Sequence, residues 1–207
     1  VQFNNVGTYT ITLTASNANG SNTASGVVTV LASGGTDIFF YEGFESGAGQ
    51  FTIENPDNSD TWVNTTVQGT REGDKAMYVN NFDYNAVGQE DGLVSPVLDF
   101  TGRTNTSLDI EYAYGRYNNT YKDSLKVYIS TNGGSTYTTI FANTDNGSGN
   151  FGTVPSTTSE FFPSQDTDWC FATTYGPGCL NLDLSAYDGL PNIVVKIVNK
   201  NGYGNNM

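Results

Sequence analysis

The stretch SLDIEYAY, Ser107–Tyr114, alternates without a break. Leu108, Ile110, Tyr112 and Tyr114 fall on one face of an extended chain, and Asp109, Glu111 and Ala113 on the other, because successive strand side chains point to opposite sides. This period predicts a half-exposed strand. Further on, IVVKIV (Ile193–Val198) is apolar on both faces apart from Lys196, which predicts a central strand covered from both sides.

Similar short segments run through the chain: IFFYE, FTIE, TWVN, AMYVNN, GLVSPVLDF, SLKVYIST, TYTTIFA and LNLDLS, with turn-forming residues between them. Many short strands separated by turn signals read as a sandwich or jelly roll. Composition agrees. Aromatics make up 13% of the residues and charged residues only 14%, which favours strands over long helices laced with ion pairs. No segment reads as a helix, and the fold class is all-β.

The N-terminal segment VGTYTITLTASNANGSNTASGVVTVL sets Tyr9, Ile11, Leu13 and Ala15 against Thr8, Thr10, Thr12 and Thr14. It then turns at NANGSN and resumes at Val28 and Val30. Two strands around a Gly-containing loop predict a hairpin, and a lone hairpin is marginally stable. It is therefore expected to close a domain whose first half lies upstream, and the chain to be a piece of a longer polypeptide. ASGGTD (Ala32–Asp37) has the small, polar composition of a linker.

Eight Lys and Arg against 21 Asp and Glu leave a net charge of −13. That balance excludes the basic footprint of a nucleic-acid binder and disfavours anionic membrane surfaces. No apolar run is long enough to span a bilayer. Histidine is absent, which removes Ser-His-Asp and Cys-His catalysis and His-based zinc sites.

Acids recur at Glu42 and Glu45, Asp57 and Asp60, and Asp83, Glu90 and Asp91. Calcium takes six to eight oxygen ligands, so such acids form a site only where the fold brings them together. A glycosidase would need two carboxylates facing across a cleft, one of them with a raised pKa; in sequence, solvated loop acids are the simpler reading. STNGGSTY (Ser130–Tyr137) is similar to a sialidase Asp-box, but it occurs once, with Asn132 in the Asp position. A tight turn is the reading adopted. Tyr117, Tyr121, Trp169 and Tyr175 stand in loop sequence and could stack on sugar rings.

These segments carry two resemblances. Gly7–Leu13 with the Asn19-Gly20-Ser21 turn resembles the closing half of a PKD domain, an immunoglobulin-like sandwich. EGFESG, DTW, DGLVSPVLDF, DSLKVYISTNGGSTY, the block from Phe162 to Cys179, LDLSAYDG and NKNGYGNN resemble, in their order, a choice-of-anchor J module. That family is a jelly roll related to the cleaved-adhesin modules of gingipains and, more distantly, to MAM domains. The domains expected are a PKD-like half at 1–31, a linker at 32–37 and a jelly roll at 38–207, lacking a closing strand that the family carries.

The resemblance implies a non-catalytic, secreted or surface-exposed module of the Bacteroidetes type IX route, joined to upstream catalytic or adhesin domains, a metallopeptidase among them. It would dock its parent on extracellular protein, glycan or cell surface. A carbohydrate-binding module of a polysaccharide-degrading enzyme is the second reading and a structural spacer the third. It also implies a structural calcium on Glu45, with Asp60 as a further ligand by position. DSL at Asp123–Leu125 looks like a short O-glycan acceptor motif of such proteins, with Ser124 as the acceptor.

Cys170 and Cys179 are the only two cysteines. No further thiolate or His stands by to complete a metal site, and eight intervening residues are not redox-pair spacing. In an extracellular sandwich a disulfide closing this loop is expected, holding Trp169 and Tyr175 as possible ligand contacts.

Overall fold

The computed structural model describes residues 7–30, 38–145 and 151–207. The chain forms two compact units, Val1–Tyr41 and Glu42–Met207. The expected linker at 32–37 lies outside the described residues.

The first unit is an antiparallel hairpin of β1 (Gly7–Asn17) and β2 (Gly20–Val30). Its turn is two residues long, and Gly20 takes up a φ of 141°. On the threonine face Thr12 bonds Ser25 at 3.0 Å and Thr14 bonds Thr23 at 3.2 Å. On the apolar face Leu13 is 70% exposed.

The second unit holds β3 (Thr52–Glu54), β4 (Val63–Thr66), β5 (Lys75–Tyr78), β6 (Glu90–Val94), β7 (Ser107–Ile110), β8 (Ser124–Ser130), β9 (Thr138–Thr144), β10 (Leu180–Asp183) and β11 (Val194–Lys200). The described helical turns are single 3-10 turns, at Asp166–Asp168, Cys170–Ala172 and Ser185–Tyr187. One sheet has the order β3-β6-β11-β8-β9, antiparallel throughout, and β4 pairs with β5 and β7 with β10. The all-β class is observed, and IVVKIV is central as the apolar pattern requires.

The two small sheets share one layer facing the large sheet. Met77 and Val79 pack with Trp62, Leu93 and Ile197. Ile110 and Leu180 pack with Tyr112, Tyr114, Leu125, Phe151, Cys170 and the same Ile197. Ile197, on central β11, thus touches both halves of the opposite layer. In β8, Leu125, Val127 and Ile129 are buried while Lys126 and Tyr128 face outward. Outer-face lysines meet acids across strands: Lys126 Nζ lies 2.6 Å from Glu90 Oε1, and Lys196 Nζ 3.1 Å from Glu54 Oε2.

IFFYE, expected as a strand, has no strand pairing. The carboxylate of Glu42 accepts the backbone N–H of Phe44 at 2.8 Å and of Gln50 at 2.9 Å. This local bonding closes the turns over residues 45–50 that follow it. STNGGSTY is the expected turn between β8 and β9, where Gly133 and Gly134 have φ of 68° and 90°.

Candidate functional site

Three places in the second unit bring chemistry-bearing residues together, and they differ from the expected set in instructive ways.

The first is the loop between β3 and β4, facing the start of β6. The β3–β6 register ends with Glu54 opposite Gly92, one residue after Asp91. Asp91 shares the inward face of β6 with Leu93 and is 0% exposed. Its carboxylate lies beside the Thr61 hydroxyl, with no tightly aligned bond between them, and Asn55 Oδ1 is buried without a hydrogen-bond partner. Burial pushes Asp91 up to about 6, against the pull of the Thr61 hydroxyl, and the charges of Asp57 and Asp60 push it the same way. The surrounding loop is held firmly. Asn55 Nδ2 donates to the Ser59 carbonyl at 2.8 Å, Ser59 N–H donates to Asp57 Oδ1 at 3.1 Å, and Tyr84 O–H donates to Asp57 Oδ2. Trp62 Nε1 donates to the backbone carbonyl of Asp91 at 2.9 Å.

Of the two calcium ligands expected from sequence, Asp60 belongs to this neighbourhood and Glu45 has other partners. The Glu45 carboxylate accepts the backbone N–H of Asp74 at 3.3 Å and of Lys75 at 3.2 Å, capping the turn that leads into β5. Gly73 completes that cap: its φ is 64°, and a Cβ there would meet the Glu45 carboxylate at about 2.0 Å. Among the described residues no group of three His, Cys, Asp or Glu side chains lies close enough to hold a metal ion. Replacing Glu45 with Ala is expected to cost at most about 1 kcal/mol, the worth of two long, exposed bonds, measured by urea denaturation.

The second place is a surface cluster of aromatic rings. Tyr117 meets Phe82 at 5.9 Å between ring centroids and Tyr121 at 6.0 Å, and Tyr121 meets Tyr203 at 5.5 Å, all edge-to-face. Tyr121 is 39% exposed, and Phe82, Tyr117 and Tyr203 are half-buried. Asn118 Oδ1 accepts the N–H groups of Thr120 and Tyr121 at 2.7 and 2.9 Å, which fixes the loop presenting Tyr121. Polar neighbours surround the rings: Arg116 Nη1 donates to Asn119 Oδ1 at 2.9 Å. Sequence alone picked out Tyr117 and Tyr121. It did not pair them with Tyr203, 82 residues further along, or with Phe82.

The third is the loop from Asp168 to Cys179. Cys170 and Cys179 are joined by a disulfide with Cα atoms 4.7 Å apart. Cys170 is buried and Cys179 half-buried, both in the core cluster below β7 and β10. Trp169, expected as a ligand contact, takes a different place: it is buried, its Nε1 donates to the Gln68 carbonyl at 2.8 Å, and its ring stacks on Phe171 at 6.1 Å. Its one donor is used inside the protein, and its ring lines an apolar groove in place of standing on the outer surface. Tyr175 stays half-buried on the stapled loop.

Ser124 heads β8, is 7% exposed and shares a hydrogen bond with Thr144 Oγ1 at 3.0 Å. A hydroxyl buried in a sheet ladder is not presented to a glycosyltransferase in the folded chain, so the expected O-glycan has no acceptor at this position.

An apolar groove opens between β5 and β7, lined by Met77, Tyr78, Ile110, Tyr112, Phe162 and Met207 among others. Along it Val79 and Met207 exchange backbone hydrogen bonds at 2.9 and 3.3 Å. None of the described helices is long and apolar enough to cross a membrane.

No family model matches the chain, and no curated protein matches it. Two solved structures are similar in backbone. One is described as a carbohydrate-binding module of the β-sandwich superfamily with promiscuous specificity: TM-score 0.46, 16% identity, covering 100% of this chain and 72% of that one. The other is the K2 cleaved-adhesin domain of Lys-gingipain: TM-score 0.43, 15% identity, covering 73% of this chain and 87% of that one. At TM-scores below 0.5, neither likeness assigns a function to this chain.

Proposed function

We propose that the second unit is a non-catalytic extracellular binding module that docks a parent protein on glycan, with the Phe82–Tyr117–Tyr121–Tyr203 cluster as its contact surface. The observation that carries this reading is a contiguous group of tyrosine rings with Tyr121 exposed at its centre, held in place by a hydrogen-bonded loop. Tyrosine suits sugar recognition: a rigid ring covers the C–H face of a pyranose at low entropic cost, and its hydroxyl remains available to the sugar's own hydroxyls. The disulfide fits an oxidising, extracellular setting. The hairpin unit is read as the closing part of a PKD-like sandwich, and a secreted metallopeptidase or adhesin as the parent. Docking on protein through the same face is the second reading, since Tyr and Arg are also the residues of protein interfaces.

A glycan array, followed by calorimetry on the hits, tests the proposal. The 207-residue chain is expected to retain one class of polysaccharide. Tyr117→Ala and Tyr121→Ala are each expected to weaken binding about tenfold, or ~1.4 kcal/mol, with unchanged thermal stability to within about 1 kcal/mol. Silence across the array with capture of a defined extracellular protein would replace glycan by protein as the target. Silence in both would leave a spacer.

A further inference from the structure

We infer that the glycan surface continues from the Phe82–Tyr117–Tyr121–Tyr203 cluster, past Asp83 and Glu160, to a second ring pair of Tyr78 and Phe162, and that its ligand is a neutral, linear polysaccharide held over several sugars. The inference rests on the glycan reading above and adds to it the length and the charge of the chain recognised.

The second ring pair comes from distant parts of the sequence. Tyr78 ends β5, and Phe162 lies in the segment leading to the stapled loop. Their ring centroids stand 4.8 Å apart, tilted by 37°. Phe162 is 40% exposed and Tyr78 half-buried, so the pair presents ring surface to solvent. Apolar surface left open beside polar groups is what a ligand covers at a gain.

Two connections set this pair beside the first cluster. The buried Asn206 accepts the backbone N–H of Phe82 on Oδ1 at 3.2 Å, and its Nδ2 donates to Glu160 Oε1 at 3.0 Å and to the Phe161 carbonyl at 3.1 Å. Phe82 belongs to the cluster, and Glu160 and Phe161 immediately precede Phe162. One buried amide thus fixes the spacing between the two groups. The electrostatics agree. Burial pushes the Tyr78 hydroxyl well above its ordinary value, and the charges of Glu160 and of Asp83, the neighbour of Phe82, push it the same way. Tyr78 also shares a side-chain hydrogen bond with Glu160.

Rings in a row with polar groups between them match the chemistry of a sugar chain. Each ring covers the C–H face of one pyranose, and exposed carboxylates accept hydrogen bonds from the hydroxyls of the sugars between. A single compact patch would suit one terminal sugar. Two ring groups joined by an acceptor-lined step suit a polymer, because the second contact is made without a second loss of translational freedom.

The same carboxylates select against acidic polymers. Asp83 and Glu160 are exposed, and the chain carries a net charge of −13. In the loop that presents the tyrosines, Arg116 is bonded to Ser156 and Asn119 and lies 3.9 Å from Asp145. The half-buried Lys122 sets one positive charge against the two carboxylates. A uronate or sulfate chain laid along this surface would meet negative charge; a neutral chain would not.

Calorimetry on the 207-residue chain tests both parts. The probes are neutral gluco-, xylo- and manno-oligosaccharides, as disaccharides and as hexasaccharides, and a galacturonate hexasaccharide. A neutral hexasaccharide is expected to bind about tenfold or more tighter than its disaccharide. Phe162→Ala is expected to bring that hexasaccharide down about tenfold, close to the disaccharide, with Tm within about 3 °C of the parent, because an exposed ring adds little to stability. The galacturonate is expected to bind about tenfold or more weaker than the neutral hexasaccharide. The Asp83→Asn, Glu160→Gln variant is expected to narrow that gap, since the amides keep an acceptor oxygen and lose the charge. Equal affinity at both lengths, with no effect of Phe162→Ala, overturns the extension and leaves the glycan reading standing on Tyr121. A preference for galacturonate overturns the neutral assignment. Binding of no oligosaccharide overturns the extension and the glycan reading together.

Discussion

Replacing Asp123 by Ala is expected to cost about 3–5 kcal/mol, the range found when one partner of a buried charged network is removed. The side chain is fully buried at the start of β8. Oδ1 accepts the N–H of Gly202 at 2.8 Å and of Gly204 at 3.3 Å. Oδ2 accepts the N–H of Asn205 at 2.8 Å and the Tyr114 hydroxyl at 2.9 Å. One carboxylate thus ties the segment after β11 to β8 and to the aromatic core. Truncation leaves three backbone donors without an acceptor. Only the Tyr114 hydroxyl has an alternative, in Asp145 Oδ2 at 3.0 Å. Gly204 belongs to the same arrangement, since a Cβ there would stand about 2.1 Å from Asp123 Oδ2.

Asn at position 123 keeps one acceptor oxygen for Gly202 and Gly204 and is expected to cost roughly half as much. Urea midpoints at constant slope measure both; a loss below about 1 kcal/mol for the Ala variant would sink the argument. A pH series adds an independent readout. Burial pushes the Asp123 pKa upward, more than its backbone and hydroxyl bonds pull it down. The folded chain therefore holds this proton more tightly than the unfolded chain. The contribution of this group is fully present below the unfolded value of about 4, and declines as pH rises through the higher folded value. Asp123→Asn is expected to remove that part of the slope.

Removing the disulfide is the second large effect. Cys170 and Cys179 close a short loop, for which the chain-entropy account gives roughly 2–3 kcal/mol. The native state adds to this, because Cys170 sits in the core cluster and its Sγ lies 3.2 Å from the Tyr112 N–H, while Cys170 N–H donates to the Tyr112 carbonyl at 3.0 Å. The staple also delivers the chain to Leu180, the first residue of β10, which pairs with Ile110 of β7. The Cys170→Ser, Cys179→Ser variant, or the parent chain in strong reductant, is expected to lose about 3 kcal/mol and 6–12 °C of Tm. An unchanged midpoint in reductant, or thiols that alkylate in the unreduced folded chain, would contradict the bridge.

How far the sequence could be read differs from element to element. The two-sided apolarity of IVVKIV was legible, and β11 runs through the centre of its sheet; alternation in SLDIEYAY held only over Ser107–Ile110, after which Tyr112, Ala113 and Tyr114 are all buried. IFFYE forms no strand, and after it Glu42 reaches forward to two backbone amides, a local competitor that hydropathy does not register. Trp169 failed as a surface contact for a related reason. Loop sequence does not tell whether an aromatic covers the outside of a sandwich or plugs it, and here the Gln68 carbonyl, 101 residues earlier in the chain, takes its N–H.

By itself, the sequence determined the all-β class, most strand positions, the acidity that excludes nucleic acid, and the absence of histidine chemistry. Each follows from composition or from a period of two, which a single strand expresses without any partner. Only the tertiary structure decided which acids are buried, which tyrosines share a surface and which serine is unreachable. Asp123 and Asn205, like Tyr121 and Tyr203, stand 82 positions apart. Strand order and register bring them together, and burial changes what a carboxylate costs; neither is written in any local stretch of residues.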